Sequence, residues 1–60
     1  MRRLFRKGQY VKNKKDGRVM EVLHYIRKKS KYVVECAWFD LEKKEVRINE
    51  YDEDKLLKAS

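Results

Sequence analysis

The groups with the clearest chemical potential in this chain are cations, and they fall in three sets. Arg2, Arg3, Arg6 and Lys7 open the sequence. Lys12, Lys14, Lys15 and Arg18 surround an Asp16-Gly17 step, and Arg27, Lys28, Lys29 and Lys31 crowd a second short stretch. Lys and Arg at this density attract phosphate, and binding that releases counterions weakens as salt rises. Tyr10, Tyr25 and Tyr32 lie near these cations, and tyrosine rings stack on bases in proteins that bind single strands. The twelve cations and three tyrosines make a candidate anion- or nucleic-acid-binding surface, provided that the fold gathers them at one end. The competing reading is solvated charge on an ordinary barrel rim, since a small protein needs charge for solubility.

Other reactive groups are sparse. Cys36 is the single cysteine, so no disulfide can form within the chain. It alternates in step with Val34 and Trp38, which marks it as a buried, inert thiol rather than a nucleophile in electropositive surroundings. One His and one Cys do not make a zinc site. His24 and Asp40 lack a serine or an activated cysteine to complete a triad. The acidic run Glu50, Asp52, Glu53 and Asp54 lacks the spacing of a calcium loop and reads as a solvated turn, or as a partner for the basic arm of a second copy. We therefore expect no catalysis, metal, cofactor or small-molecule substrate.

The charge is one-sided along the chain. Residues 1–31 hold twelve Lys/Arg against two acids, residues 32–60 five against eight, and the whole carries +7. Such asymmetry points to an anionic partner. No apolar stretch approaches the roughly 20 residues of a membrane span. The basic start lacks the apolar segment of a signal peptide. A lone apolar-strand cysteine fits a reducing compartment. The expectation is a soluble cytoplasmic protein with no membrane partner.

Sixty residues with no proline, repeat or linker make one domain. We read residues 1–7 as a basic arm and 58–60 as a frayed tail. Between them lie short apolar runs separated by turn signals, at about ten-residue intervals. Gly8 precedes a first strand at Gln9–Lys12. Asp16-Gly17 turns the chain into a second, Arg18–Arg27, with Met20, Val22, His24 and Ile26 on one face. A basic loop leads to Tyr32–Phe39, the longest apolar run, with Val34, Cys36 and Trp38 on one face. Asp40 starts a turn through its own side chain. In Glu45–Asn49, clean alternation directs Val46 and Ile48 inward. Asp52 would cap a single helical or 3-10 turn, and Leu56 would close the core. Four or five short antiparallel strands of this kind predict an all-β fold, a small barrel. Its predicted core is Val11, Met20, Val22, Ile26, Val34, Cys36, Trp38, Val46, Ile48 and Leu56.

Several of these residues also form a pattern: Phe5-x-x-Gly8-x-x-Val11, Lys14, Gly17, Met20-x-Val22, Cys36-x-Trp38-Phe39-Asp40, and Glu53-Asp54 before Leu56. The pattern resembles the YodC-like family of small bacterial proteins of unknown function, over roughly residues 5–57. Its most specific element is Cys-x-Trp-Phe-Asp. Gln9 stands where that family has Asp, Lys15-Asp16-Gly17-Arg18 replaces Ser-Gly-Gly-Pro, and Glu21 replaces Thr. The resemblance implies an SH3-like barrel and no particular activity. Two functions remain open: a non-catalytic module that holds an anion, foremost nucleic acid, on its basic face, or a module that binds another protein or a second copy of itself. Basic residues gathered on one face favour the first; an exposed groove lined by Tyr and Trp, with the charges scattered, favours the second.

Overall fold

The structure, a computed structural model, describes residues 2–59; Met1 and Ser60, at the ends of the expected arm and tail, lie outside the described residues. Strand β1 spans Tyr10–Asn13, β2 Val19–Lys28, β3 Lys31–Asp40, β4 Glu45–Asp52 and β5 Leu56–Lys58, with a 3-10 turn at Glu53–Lys55. All pairings are antiparallel, in one sheet ordered β4-β3-β2-β1-β5. The meander β2-β3-β4 continues through the 3-10 turn into β5, which returns to the free edge of β1. This is the all-β arrangement of short antiparallel strands that the spacing of strands and turns predicts.

The turns follow from particular side chains. Between β1 and β2, Gly17 takes a φ of +76° that a β-carbon would strain. Its N–H donates to the Asn13 carbonyl (2.7 Å). Asn13 Oδ1 accepts from the Lys15 N–H, and Asp16 Oδ1 accepts from the Arg18 N–H, both at 2.9 Å. Between β3 and β4, Asp40 Oδ1 accepts from the N–H groups of Glu42 and Lys43. The expected side-chain cap at Asp52 is not formed. Asp52 instead accepts from Lys31 Nζ at 3.0 Å.

Strand β2 departs from simple alternation. Val22 pairs with Cys36, but the next pair is His24 with Glu35, so Leu23 is an extra residue forming a β-bulge. An added residue exchanges the faces of everything after it. Met20 and Val22 point inward before the bulge, and Tyr25 points inward after it. His24 and Ile26, expected on the inner face, therefore lie on the outer one. There His24 Nε2 meets Glu35 Oε1 at 2.7 Å.

The core is a single cluster of Phe5, Val11, Met20, Val22, Val34, Cys36 and Leu56, with Tyr25, Trp38 and Tyr51 packed against it. Its differences from the predicted core have physical reasons. Val46 and Ile48 alternate as expected but face outward, 61% and 55% exposed. The inward positions of β4 are Arg47, Asn49 and Tyr51, paired with Trp38, Cys36 and Val34. Trp38 and Ile26 are half-buried rather than central. Phe5, within the expected arm, is 5% exposed and closes one end. Val33 is buried on the outer face, paired with Ile26 and Asp52. At the other terminus, Lys58 belongs to β5 and the Ala59 N–H donates to the Tyr10 carbonyl, where fraying was expected.

This distribution sets an expectation for urea unfolding. Met20→Ala should lose about 2–5 kcal/mol, because it opens a cavity among fully buried neighbours. Ile48→Ala should lose no more than about 0.5 kcal/mol. Equal losses would contradict the outward face assigned to β4.

Candidate functional site

The fold separates the predicted cations into groups. Lys14, Lys15 and Arg18 lie at the start of β2, and Arg27, Lys28, Lys29 and Lys31 lie at its end. Ten strand residues at about 3.3 Å each put roughly 30 Å between these ends. The molecule is 36 Å in its longest dimension, so the two loop groups occupy opposite poles. They do not form one patch. Lys12 and Tyr10 belong to neither pole: they stand on the outer face of β1, where Lys12 pairs with Val19 and Tyr10 with Glu21.

The N-terminal segment joins the second group. Gly8 takes a φ of +86°, and its N–H donates to the Val22 carbonyl (2.8 Å). Gln9 Oε1 accepts from the Arg6 N–H at 3.1 Å, fixing a tight turn. From there the segment runs back along the second half of β2. Tyr25, turned inward by the bulge, holds it: the hydroxyl accepts from the Phe5 N–H (3.2 Å) and donates to Glu53. Glu53 also accepts from the Leu4 N–H at 3.0 Å. Burial, then the bond to Glu53, raises the Tyr25 pKa. The Arg3 guanidinium lies 4.9 Å from the centre of the Tyr25 ring, a cation–π contact. Arg27 follows Tyr25 by two residues on the same face, opposite Tyr32.

Ion pairing decides which cations are available here. Lys28 pairs with Glu50 (3.2 Å) and Lys31 with Asp52 (3.0 Å). Within the acidic run, Glu50 and Asp52 are thus paired inside the chain and Glu53 accepts from Tyr25 and Leu4, while Asp54 has no such partner among the described residues. Arg2, Arg3, Arg6, Lys7, Arg27 and Lys29 have no ion-pair partner among the described residues. The hairpin tip at Lys29-Ser30 places Lys29 at a φ of +39°. Tyr25 is committed to Arg3, Phe5 and Glu53, which leaves half-buried Tyr32 as the predicted stacking residue at this pole.

The other pole holds features that composition did not reveal. Arg18 covers the Trp38 ring at 3.7 Å from its centre and pairs with Asp16 at 3.6 Å. The indole N–H donates to Asn49 Oδ1 at 2.8 Å. Arg47 donates to Asp40 at 3.3 Å. The Lys43 backbone N–H, then the bonds from Arg47 and Glu42, hold the Asp40 carboxyl below its usual range. Trp38, Arg47, Asn49 and Tyr51 line an open cleft of about 630 Å³. It is an aromatic groove, but Arg18 and Asn49 already satisfy its tryptophan. Arg47 and Asn49 were not among the predicted site residues; their inward position follows from the face that β4 presents.

Among the described residues, no group of three His, Cys, Asp or Glu side chains is arranged to hold a metal ion. No helix of the described residues is long and apolar enough to cross a membrane. Comparison with protein-family models, curated proteins and solved structures finds no match to the chain.

Cys36 is fully buried, and burial together with the Glu35 charge pushes its thiol up to about 11 from 9.0. The unfolded chain releases this proton first. Stability from the neutral thiol is therefore complete below pH 9 and lost as pH rises toward 11. Urea midpoints should fall over that window, and fall less steeply in Cys36→Ala. Parallel declines would contradict this role for the thiol.

Proposed function

We propose that the protein is a non-catalytic binding module that grips the phosphate backbone of nucleic acid with one pole. The observation that carries this reading is the convergence of the N-terminal segment and the β2–β3 tip around Tyr25 and Arg27. Six cations there lack ion-pair partners among the described residues; at the other pole Arg18 and Arg47 are paired, while Lys14, Lys15, Lys43 and Lys44 are not. Phosphate contacts of this kind position a module without reading sequence. Tyr32 supplies one stacking surface, so electrostatics carries most of the affinity. The relevant basic set is Arg2, Arg3, Arg6, Lys7, Arg27 and Lys29, a subset of the twelve cations in the sequence.

The same reading treats the chain as a divergent member of the YodC-like family, acting in the cytoplasm. In support, each residue of Cys36-x-Trp38-Phe39-Asp40 has its own task in this fold. Cys36 fills the core, Trp38 lines the cleft, Phe39 stands on the outer face, and Asp40 organises the β3–β4 turn.

Fluorescence anisotropy with labelled single- and double-stranded oligonucleotides tests the reading. Binding is expected at about 50 mM salt, with a log–log salt slope of roughly −3 to −5 for four to six phosphate contacts. Combined Arg3→Ala, Arg6→Ala and Arg27→Ala should weaken it about tenfold or more, while Lys14→Ala with Lys15→Ala should change it less than about threefold. No binding at about 50 mM salt, or equal losses from the two variants, would overturn it.

A further inference from the structure

The outer face of the sheet carries an apolar surface that the chain itself leaves uncovered. Tyr10, Val19, Phe39, Val46, Ile48 and Leu57 are each between 51% and 61% exposed. They are not scattered. The register arranges the outer face in two adjacent rows. One row runs Tyr10, Glu21, Ala37, Ile48 across β1 to β4. The other runs Leu57, Lys12, Val19, then Phe39 and Val46, from β5 to β4. A contiguous apolar face of this kind on a small soluble domain marks an interaction surface.

We propose that this face is a dimer interface whose occupant is a second copy of the same chain. The two rows are complementary to each other. A two-fold axis lying across the strands, midway between the rows, lays each row over its neighbour in the second copy. Phe39, the largest projecting side chain, then falls over Ala37 of the second copy, and the reverse holds. Ala37 floors a hollow of about 280 Å³ bounded by Val19, Glu21 and Phe39, which receives that ring. Ile48 meets Val46 of the second copy. Lys12 comes beside Glu21 of the second copy, and the two-fold makes that pair twice. Neither Lys12 nor Glu21 has an ion-pair partner within the chain among the described residues. An isologous contact needs this self-complementarity in both size and charge, and a foreign partner would not.

The axis keeps strands aligned between the two copies, the geometry of face-to-face sheets about 10 Å apart. The face spans five strands, roughly 20 Å across, which is small for a stable interface, so the dimer should form reversibly with concentration. The axis reverses strand direction, so the two cationic poles point away from each other and remain open. The dimer thus stands independently of the nucleic-acid reading.

Sedimentation equilibrium over about 1–500 μM tests it, with circular dichroism confirming that each variant is folded. The wild type should pass from monomer to dimer. Phe39→Ser should remain monomeric. Lys12→Glu should weaken the dimer about tenfold, and Lys12→Glu combined with Glu21→Lys should restore it to within about threefold of the wild type. Because both charged residues are exposed, the swap still decides the matter if Phe39→Ser fails to fold. A wild type monomeric at about 500 μM, a dimer indifferent to Phe39 and Lys12, or a double variant no tighter than the single one would each overturn the proposal.

Discussion

One extra residue in β2 governs where the functional groups of this small barrel end up. The bulge at Leu23 exchanges the two faces of the strand halfway along its length. Before it, Met20 and Val22 fill the core against Cys36. After it, Tyr25 turns inward beside Val34, while His24 leaves to meet Glu35. Without that exchange Tyr25 would face solvent, and the N-terminal segment would lose its hydrogen bond to the Tyr25 hydroxyl and the Arg3 contact with the ring. With it, one hydroxyl joins the Phe5 N–H to the Glu53 carboxylate, and Phe5 closes the end of the core. The conformation of Arg3, Arg6 and Lys7 follows from a packing event many residues away in sequence.

The charge distribution has the same origin. Along the chain, positive charge gathers in the first half and negative charge in the second. The β3–β4 register then brings the acidic end of β4 to the basic β2–β3 tip, where Glu50 and Asp52 neutralise Lys28 and Lys31. Exposed pairs of this kind contribute little to stability, about 0–1 kcal/mol each. Their larger effect is to select which cations remain open to a partner. At the opposite pole Asp16 and Asp40 do the same for Arg18 and Arg47. Among the described residues, cations without an ion-pair partner remain at both poles: the N-terminal segment, Arg27 and Lys29 at one, and Lys14, Lys15, Lys43 and Lys44 at the other.

Much of the fold was legible from local chemistry, because turns announce themselves. Asp16-Gly17 and Asp40 form the turns that their side chains imply, and the number and order of strands follow. What local pattern does not carry is which face of a strand is inside. Val46 and Ile48 alternate cleanly, yet β4 turns that face outward, because its inner positions line an open cleft with Arg47, Asn49 and Tyr51. Period-2 alternation defines two faces and leaves their assignment to tertiary structure. The bulge was equally hidden, since Leu23 looks like any other strand residue. Phe5 was hidden by its basic neighbours. The candidate site was half legible for the same reason. Its cations were visible by type, but their division between two poles depends on the length of β2, and their pairing depends on the register of β4.

The account turns on the β2–β3 ladder, and cross-strand nuclear Overhauser effects read that ladder directly. Contacts joining His24 to Glu35 and Tyr25 to Val34, with Leu23 unpaired and the Tyr25 ring close to Phe5, are the expected result. A ladder running without interruption would instead join Leu23 to Glu35 and His24 to Val34. That would put Tyr25 on the outer face, release the N-terminal segment, and contradict the placement of the cationic pole.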